Sequence, residues 1–353
     1  MSDRTLGIVG VGLIGGSIGM AARRAGWEVV GVDSAVTLER AAALGAIDRP
    51  AKLAEVGDVD LLILAAPVSR ITGLLHQLPP TTALVTDVGS AKAAIVRAAA
   101  AAGIGRFVGG HPMAGSQLGG VANASPDLFQ GARYLLTPTG DTLPDAYALV
   151  TQFVRDDLGA VPTAVDPERH DLLVAALSHL PHLLAVALLQ VTSGISPDAL
   201  SLAGPSFRDL TRVGAANPAL WADILAENAG AVREVLGSFT EAMRRLDDDI
   251  SDRLAIERHF TAAGAAYEAL GGILIERTGR NVDIAVLIEN RPRVLAQVTT
   301  LMGSSDINIL DLYMQHSDTR HAALVLTIDE TSVERALELL HAAGFHAEVG
   351  GAG

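Results

Sequence analysis

The sequence predicts an α/β protein: a doubly wound parallel sheet, then an all-helical segment, then a small βαββαβ module. Three observations carry this expectation. Up to about residue 165, short apolar runs alternate with alanine-rich stretches of helical spacing, the rhythm of βαβ units. From Pro167 to Ile275 the strand signal disappears, and after Arg277-Thr278-Gly279-Arg280 strand and helix signals return. The implied domains are 1–165, 166–278 and 281–353.

In the first segment, Leu6–Val9, Val29–Val32, Leu61–Leu64, Leu84–Thr86, Phe107–Val108 and Tyr134–Leu136 are short, apolar and bounded by turn residues, as buried strands should be. Helices such as Ile14–Ala25 and Ala91–Ala102 fall between them. The second segment reads as several long helices, broken near Ser193–Asp198, Ala203–Ser206 and Asn217-Pro218. Its stretch from Leu172 to Pro197 has no charged residue. A helix apolar on every face should be buried all round, in a bundle or in the core of a dimer. In the tail, Val282–Ile288, Ile307–Gln315, His321–Ile328 and His346–Val349 read as strands, and Arg293–Met302 and Ser332–Ala343 as helices.

At 353 residues the chain can build two or three proper cores. With 26 Lys and Arg against 40 Asp and Glu, its formal charge is −14 and no basic run of five occurs, which argues against nucleic acid. The absence of cysteine excludes disulfides, thiolate catalysis and cysteine-ligated metal, and suits a cytoplasmic protein. Thr5–Ala22 and Leu172–Pro197 could be mistaken for membrane segments. The first holds six glycines; the second holds Ser178, His179, Pro181 and His182, costly in lipid. Both are expected to be buried in protein. The start Met1-Ser2-Asp3-Arg4 lacks a signal-peptide layout.

Gly10-Val11-Gly12-Leu13-Ile14-Gly15 follows a strand and opens a helix, and Asp33 ends the next strand. Gly10 and Gly12 allow a tight turn and close approach of a pyrophosphate, and Gly15 lets the helix pack on the strand. Backbone N–H groups and the helix dipole, with Leu13 and Ile14 in the first turn, would hold phosphates. A carboxylate at Asp33 would bond a ribose diol and repel a 2′-phosphate, which predicts NAD rather than NADP. Pro67, in Ala65-Ala66-Pro67-Val68, sits at a strand tip over the same crevice, as cofactor contact or ordinary loop.

Val108-Gly109-Gly110-His111-Pro112-Met113-Ala114-Gly115-Ser116 holds a histidine between glycines and a proline, downstream of that crevice. Imidazole passes protons near neutral pH, so His111 is either a positioned base or part of a structural turn. Ser90, in Thr86-Asp87-Val88-Gly89-Ser90-Ala91-Lys92, either caps a helix or presents a hydroxyl at the carboxyl edge of the sheet. His170, His179 and His182 share the second segment; no carboxylate-rich cluster stands near them, and Pro181 disturbs the helix, so no metal site is expected. Arg208 and Arg212 are spaced to share a helix face and could offer a guanidinium fork to a carboxylate, or simply pair with Asp209 or Asp223.

Taken in order, GVGLIGGS, TDVGSAK, GGHPMAGS, HDLLVAALSHLPH and FRDLTRVGAANPALWADI resemble the prephenate dehydrogenase family, and the tail resembles an ACT domain through Asn290-Arg291-Pro292 and Asp306-Ile307-Asn308-Ile309. The resemblance implies a Rossmann-type domain, a helical substrate and dimerisation domain, and a regulatory module with L-tyrosine as effector. It implies NAD-dependent oxidative decarboxylation of prephenate to 4-hydroxyphenylpyruvate in tyrosine biosynthesis, by a cytoplasmic homodimer. His111 would accept the ring hydroxyl's hydrogen bond and Ser90 would orient it. His182 and Arg212 would bind the carboxylate-bearing side, and His179 would support the pocket. Gly10, Gly12, Gly15 and Asp33 would hold NAD.

Two departures bear on specificity. Many relatives carry an acid where this chain has Gln117, and a neutral side chain there should disfavour the amino group of arogenate. Arg293 follows Arg291-Pro292 where amino-acid-binding ACT domains often have glycine. The rival readings are arogenate dehydrogenase, a non-catalytic nucleotide or amino-acid sensor, and a β-hydroxyacid-type dehydrogenase. The last usually relies on a lysine in its helical domain, and Pro167–Ile275 contains none.

Overall fold

The computed structural model describes residues 4–115, 118–196, 198–275, 281–289, 291, 293–316 and 321–349. The chain divides into two compact units, Met1–Ala242 and Met243–Gly353.

The first unit is built on an eight-stranded sheet: β1 (Thr5–Val9), β2 (Glu28–Val32), β3 (Arg49–Pro50), β4 (Leu61–Leu64), β5 (Leu84–Asp87), β6 (Phe107–Pro112), β7 (Arg133–Thr137) and β8 (Val161–Ala164). Their order is β3-β2-β1-β4-β5-β6-β7-β8. Helices α1 (Leu13–Arg24), α2 (Ala35–Ala43), α3 (Val68–Leu75), α4 (Ala93–Ala101) and α5 (Pro144–Gln152) connect the strands. One core cluster gathers Leu6, Ile8, Ile18, Phe129 and Leu136; another gathers Leu62, Leu64, Ile71, Val85 and Ile95, so apolar cores lie on both sides of the sheet. This is the doubly wound, Rossmann-like arrangement.

It departs from a purely parallel sheet at one junction: β7 runs antiparallel to β6. The consequence falls on His111. The strand signal ends at Val108, but β7 pairs with the next residues, Gly109 opposite Thr137 and His111 opposite Leu135. His111 therefore sits on a strand, not in a turn. Pro112 is tolerated because it closes that strand, where its missing N–H matters least.

The helices that follow are α6 (Pro167–Val174), α7 (Leu180–Ile195), α8 (Pro205–Thr211), α9 (Pro218–Glu227) and α10 (Ala229–Asp249). Asp166 caps α6 through the N–H of Arg169, and Asn217 caps α9 through those of Ala219 and Leu220. Between α6 and α7, Ala175–His179 forms a single π-helical turn just ahead of Pro181. Proline has no N–H to donate and crowds the carbonyl four residues back, so a local widening is the natural accommodation.

Pro167–Ile195 is also long and apolar enough to cross a membrane by length and composition. The expectation that it is buried all round does not hold within one chain. In α7 only Ala185 is buried, while Val191 and Ile195 are 65% and 75% exposed. Leu177, Leu202 and Leu210 are exposed as well. The composition predicts a dry surrounding, and among the described residues this apolar face stays open.

The second unit holds α11 (Arg253–Ile275) and a four-stranded antiparallel sheet of β9 (Asn281–Glu289), β10 (Ile309–His316), β11 (His321–Asp329) and β12 (His346–Val349), ordered β10-β11-β9-β12. Helices α12 (Val294–Gly303) and α13 (Val333–Ala342) contribute Val298, Met302, Ala336 and Leu340 to its core, against Val286, Leu324 and Leu326. The element order is βαββαβ. Arg293, before α12, has φ of +74°, a left-handed conformation that glycine enters freely and arginine does not.

Candidate active site

The glycine loop is shaped for a dinucleotide. Gly10 has φ of +96°, and a Cβ there would lie 2.5 Å from the carbonyl oxygen of Ala65, at the tip of β4. A Cβ on Gly15 would meet the carbonyl oxygen of Gly10 at 2.0 Å. Both glycines are thus required by the protein itself. Gly12 differs: a Cβ there meets nothing within 4 Å. It is the N-cap of α1, and no side chain caps that helix. The open space and the free N–H groups of Leu13 and Ile14 together form an anion cradle.

Asp33 is exposed at the end of β2; its carboxylate accepts from the N–H of Val11 (2.8 Å) and of Ser34 (2.6 Å), leaving lone pairs for a diol. Pro67, the N-cap of α3, is exposed beside the same crevice. These residues fit a dinucleotide. Gly12→Ala should therefore leave Tm nearly unchanged yet weaken dinucleotide binding about tenfold, roughly 1.4 kcal/mol. Gly15→Ala should instead destabilise the fold by about 1–3 kcal/mol through overpacking. Thermal melts and a fluorescence titration with NADH separate the two.

A cavity of about 530 Å³ opens beside the strand tips, lined by Ser90, His111, His179, His182, Arg212 and Trp221 among others. The Ser90 hydroxyl is buried with no hydrogen-bond partner in the structure, and the N–H groups at the start of α4 are taken by Asp171, so the helix-cap reading of Ser90 does not apply. Arg212 stands just beyond α8, exposed on the cavity wall. Arg208 does not line it.

His111 is half-buried, and its Nδ1 lies 2.9 Å from Nε2 of the fully buried His170. His170 Nδ1 is 2.8 Å from Oδ1 of Asp171. The carboxylate also accepts from the N–H groups of Lys92 (2.6 Å) and Ala93 (3.0 Å) at the start of α4. The donor sequence follows from charge. Asp171 can only accept, so His170 donates from Nδ1 and accepts at Nε2, and His111 donates from Nδ1. The lone pair of His111 Nε2 is then left for the cavity.

Electrostatics agree with that assignment. Burial, then the neighbouring His170, Lys92 and His179, hold the His111 imidazole well below its ordinary value, so it stays neutral. Burial pushes the Asp171 carboxyl up, but hydrogen bonds from His170, Lys92 and Ala93 outweigh it and the group lies low. Burial, partly opposed by Asp171, pulls His179 down to about 4.

The other two histidines are also engaged. Asn228 donates through Nδ2 to the carbonyl oxygen of Asp171 (2.8 Å) and lies 3.3 Å from His179 Nδ1, which places the His179 proton on Nε2. His182 Nδ1 donates to the Ser178 carbonyl (2.9 Å), and its ring stacks on Trp221 at 3.7 Å. Among the described residues no group of three or more His, Asp and Glu could hold a metal ion.

Sequence reasoning missed the relay role of His170 and Asp171, the tautomer lock at Asn228 and the ring platform of Trp221. The acid directly after His170, and Trp221 as one of 2 tryptophans, were the available signals. Gln117 lies outside the described residues, as do Asn290 and Pro292.

A glycine-lined dinucleotide crevice, with a buried histidine relay and Arg212 in the neighbouring cavity, defines a class, the Rossmann-type oxidoreductases with a helical second domain. Comparison with known proteins narrows it. The family profile described as prephenate dehydrogenase, nucleotide-binding domain, matches residues 18–162, and the one described as prephenate dehydrogenase, dimerization domain, matches 166–259. Prephenate dehydrogenase of Bacillus subtilis is 32% identical, over 88% of each chain, and that of Lactococcus lactis 29%, over 95% of this chain and 97% of its own. The crystal structure of Aquifex aeolicus prephenate dehydrogenase in complex with hydroxyphenyl propionate and NAD+ superposes with a TM-score of 0.70 at 31% identity, covering 76% of this chain and 99% of that one. Synechocystis arogenate dehydrogenase gives 0.66 at 33%, covering 75% and 98%. The chain belongs to the prephenate dehydrogenase family.

Proposed function

We propose that the protein is an NAD-dependent prephenate dehydrogenase, converting prephenate to 4-hydroxyphenylpyruvate and carbon dioxide in tyrosine biosynthesis. The observation that carries this reading is the relay that leaves His111 Nε2 as a free acceptor in a cavity shared with Ser90, His182 and Arg212. When bound, NAD supplies the hydride acceptor. Gly10, Gly12, Gly15 and Asp33 hold it, with Leu13, Ile14 and Pro67 at the edges of the crevice.

The chain's own residues handle the proton and the anions. His111 Nε2 accepts the hydrogen bond of the ring hydroxyl and takes its proton as the carbinol carbon is oxidised. The unpartnered Ser90 hydroxyl orients that same group. Arg212 binds a substrate carboxylate, with His182 beside it and the His179 Nε2–H as a further donor. Loss of carbon dioxide makes the ring aromatic, and the proton held on His111 returns to the ring oxygen as it becomes a phenol. A neutral Gln117 favours prephenate over arogenate.

We further read the exposed apolar face of α7 and α8 as the contact of a cytoplasmic homodimer, consistent with the dimerization-domain match. The βαββαβ module is read as an ACT-type domain, with L-tyrosine as its effector. One assay tests the substrate and the effector together: NADH formation from prephenate and from arogenate, with and without L-tyrosine. The expected result is a higher kcat/KM for prephenate and lower activity with tyrosine. Turnover of arogenate alone would overturn the substrate assignment, and indifference to millimolar tyrosine the effector assignment.

A further inference from the structure

We propose that the buried pair Asp87 and Lys92 is a positioning device for the active-site histidine, gripping the backbone of Gly110 from both sides; this rests on the reading of His111 as the base. The main-chain ladder between β5 and β6 ends at Thr86 opposite Val108. Beyond it, side chains do the holding. The Asp87 carboxylate accepts from the N–H of Gly110 (3.2 Å), and the Lys92 ammonium donates to the Gly110 carbonyl (2.8 Å). Lys92 and Asp87 are ion-paired to each other, and both side chains are fully buried.

The same carboxylate accepts from the N–H of Gly89 (2.8 Å), directly before Ser90. One pair therefore fixes the spacing between the Ser90 hydroxyl and the His111 ring. The fit is close: a Cβ on Gly110 would meet the Asp87 carbonyl oxygen at 2.6 Å, and one on Gly109 the Thr137 hydroxyl at 2.3 Å.

Stability alone is a poor reason to keep such a pair, since neutral residues often replace buried ions without loss. Nor is lysine this chain's habit. Lys52 and Lys92 are its lysines, and the rest of its 26 basic residues are arginines. A compact ammonium can reach a carboxylate and a carbonyl in a closed space where a planar guanidinium fork would not fit.

The pair also sets the field at His111. The titratable and charged groups around that ring are His170 and Asp171 on α6, His179 on the π turn, Lys92 and Asp87 behind it, Tyr134 on the neighbouring strand, and His182 and Arg212 across the cavity. Lys92 is among the causes that hold the imidazole neutral, after burial and His170.

The test compares Lys92→Met with Asp87→Asn/Lys92→Met, which removes both charges and is the variant expected to fold with near-native stability. In the double variant kcat for prephenate should fall about tenfold, short of the ~10²-fold that an ångström of misplacement can cost. KM and NADH affinity should hold. In Lys92→Met the acid limb of kcat/KM should also move to higher pH, because the Lys92 charge that helps keep the imidazole neutral is gone. The nitrogen-15 resonances of the His111 ring, followed through pH, should shift in the double variant whichever substrate is used. An unchanged His111 titration in the folded double variant would overturn the proposal. Failure of the wild-type protein to oxidise prephenate would overturn only the substrate reading.

Discussion

Replacing His111 by asparagine is expected to lower turnover roughly 10²- to 10⁴-fold, the scale of a positioned base, while the fold and dinucleotide binding remain. The position makes the test clean. His111 is held in β6 by main-chain pairing with Leu135, which asparagine keeps. An asparagine amide can still donate toward His170, so the relay behind it need not collapse. It has no basic nitrogen for the cavity.

The pH profile carries an independent signature. Activity requires neutral imidazole, so it is lost on the acid side, as pH falls through the value of His111 in the folded protein. Burial and the neighbours hold that value well below the usual imidazole range. In the wild-type protein kcat/KM should therefore stay level down through about pH 6.5, where an unperturbed histidine would already be half protonated. In His111→Asn that limb should vanish from the residual rate. Stopped-flow NADH absorbance and a dinucleotide titration measure both arms, and unchanged turnover would remove His111 from the mechanism.

Local physics was readable where it acts over short sequence distances. The glycine loop and Asp33 fall within one βαβ unit, and the later breaks at Asn217-Pro218 coincide with a real cap. What stayed hidden was set by long-range pairing. The apolar signal stops at Val108, which leaves His111 near a turn by sequence; only the antiparallel return of β7 carries the strand on to Pro112. His170 and His111 meet across 59 positions, and no periodicity marks that meeting. Lys92 and Asp87 look like ordinary polar residues in a strand-to-helix turn, yet both are interior. The apolar stretch around α7 reads as needing burial on every face, yet only Ala185 of that helix is buried, because composition cannot say which surface would cover it.

The second large effect is expected at Asp171, through the charge it holds behind the relay rather than contact with substrate. Asp171→Asn keeps the shape but turns one acceptor oxygen into a donor. The carboxylate now serves three donors: His170 Nδ1 and the N–H groups of Lys92 and Ala93. Oδ1 serves both the Lys92 N–H and His170 Nδ1, and Oδ2 serves Ala93 alone, so an amide keeps most by standing its oxygen at Oδ1 and its NH₂ against the Ala93 N–H. The His170 bond and the tautomers then survive, but the negative charge behind them is gone. The relay no longer stabilises the imidazolium that forms as His111 takes the proton.

Where an equivalent carboxylate touches the base directly, replacing it by an amide costs about 10⁴ in turnover; acting through a second ring that keeps its hydrogen bond, the loss here should be roughly 10²-fold in kcat. The same substitution weakens a helix cap by about 0.5–2 kcal/mol, so Tm should fall too. The two effects separate when kcat is measured well below the melting transition and compared with His170→Phe. If one relay carries both residues, the double variant should be no slower than the worse single one. Wild-type kcat with a lowered Tm would leave Asp171 as a helix cap alone and break the relay at His170.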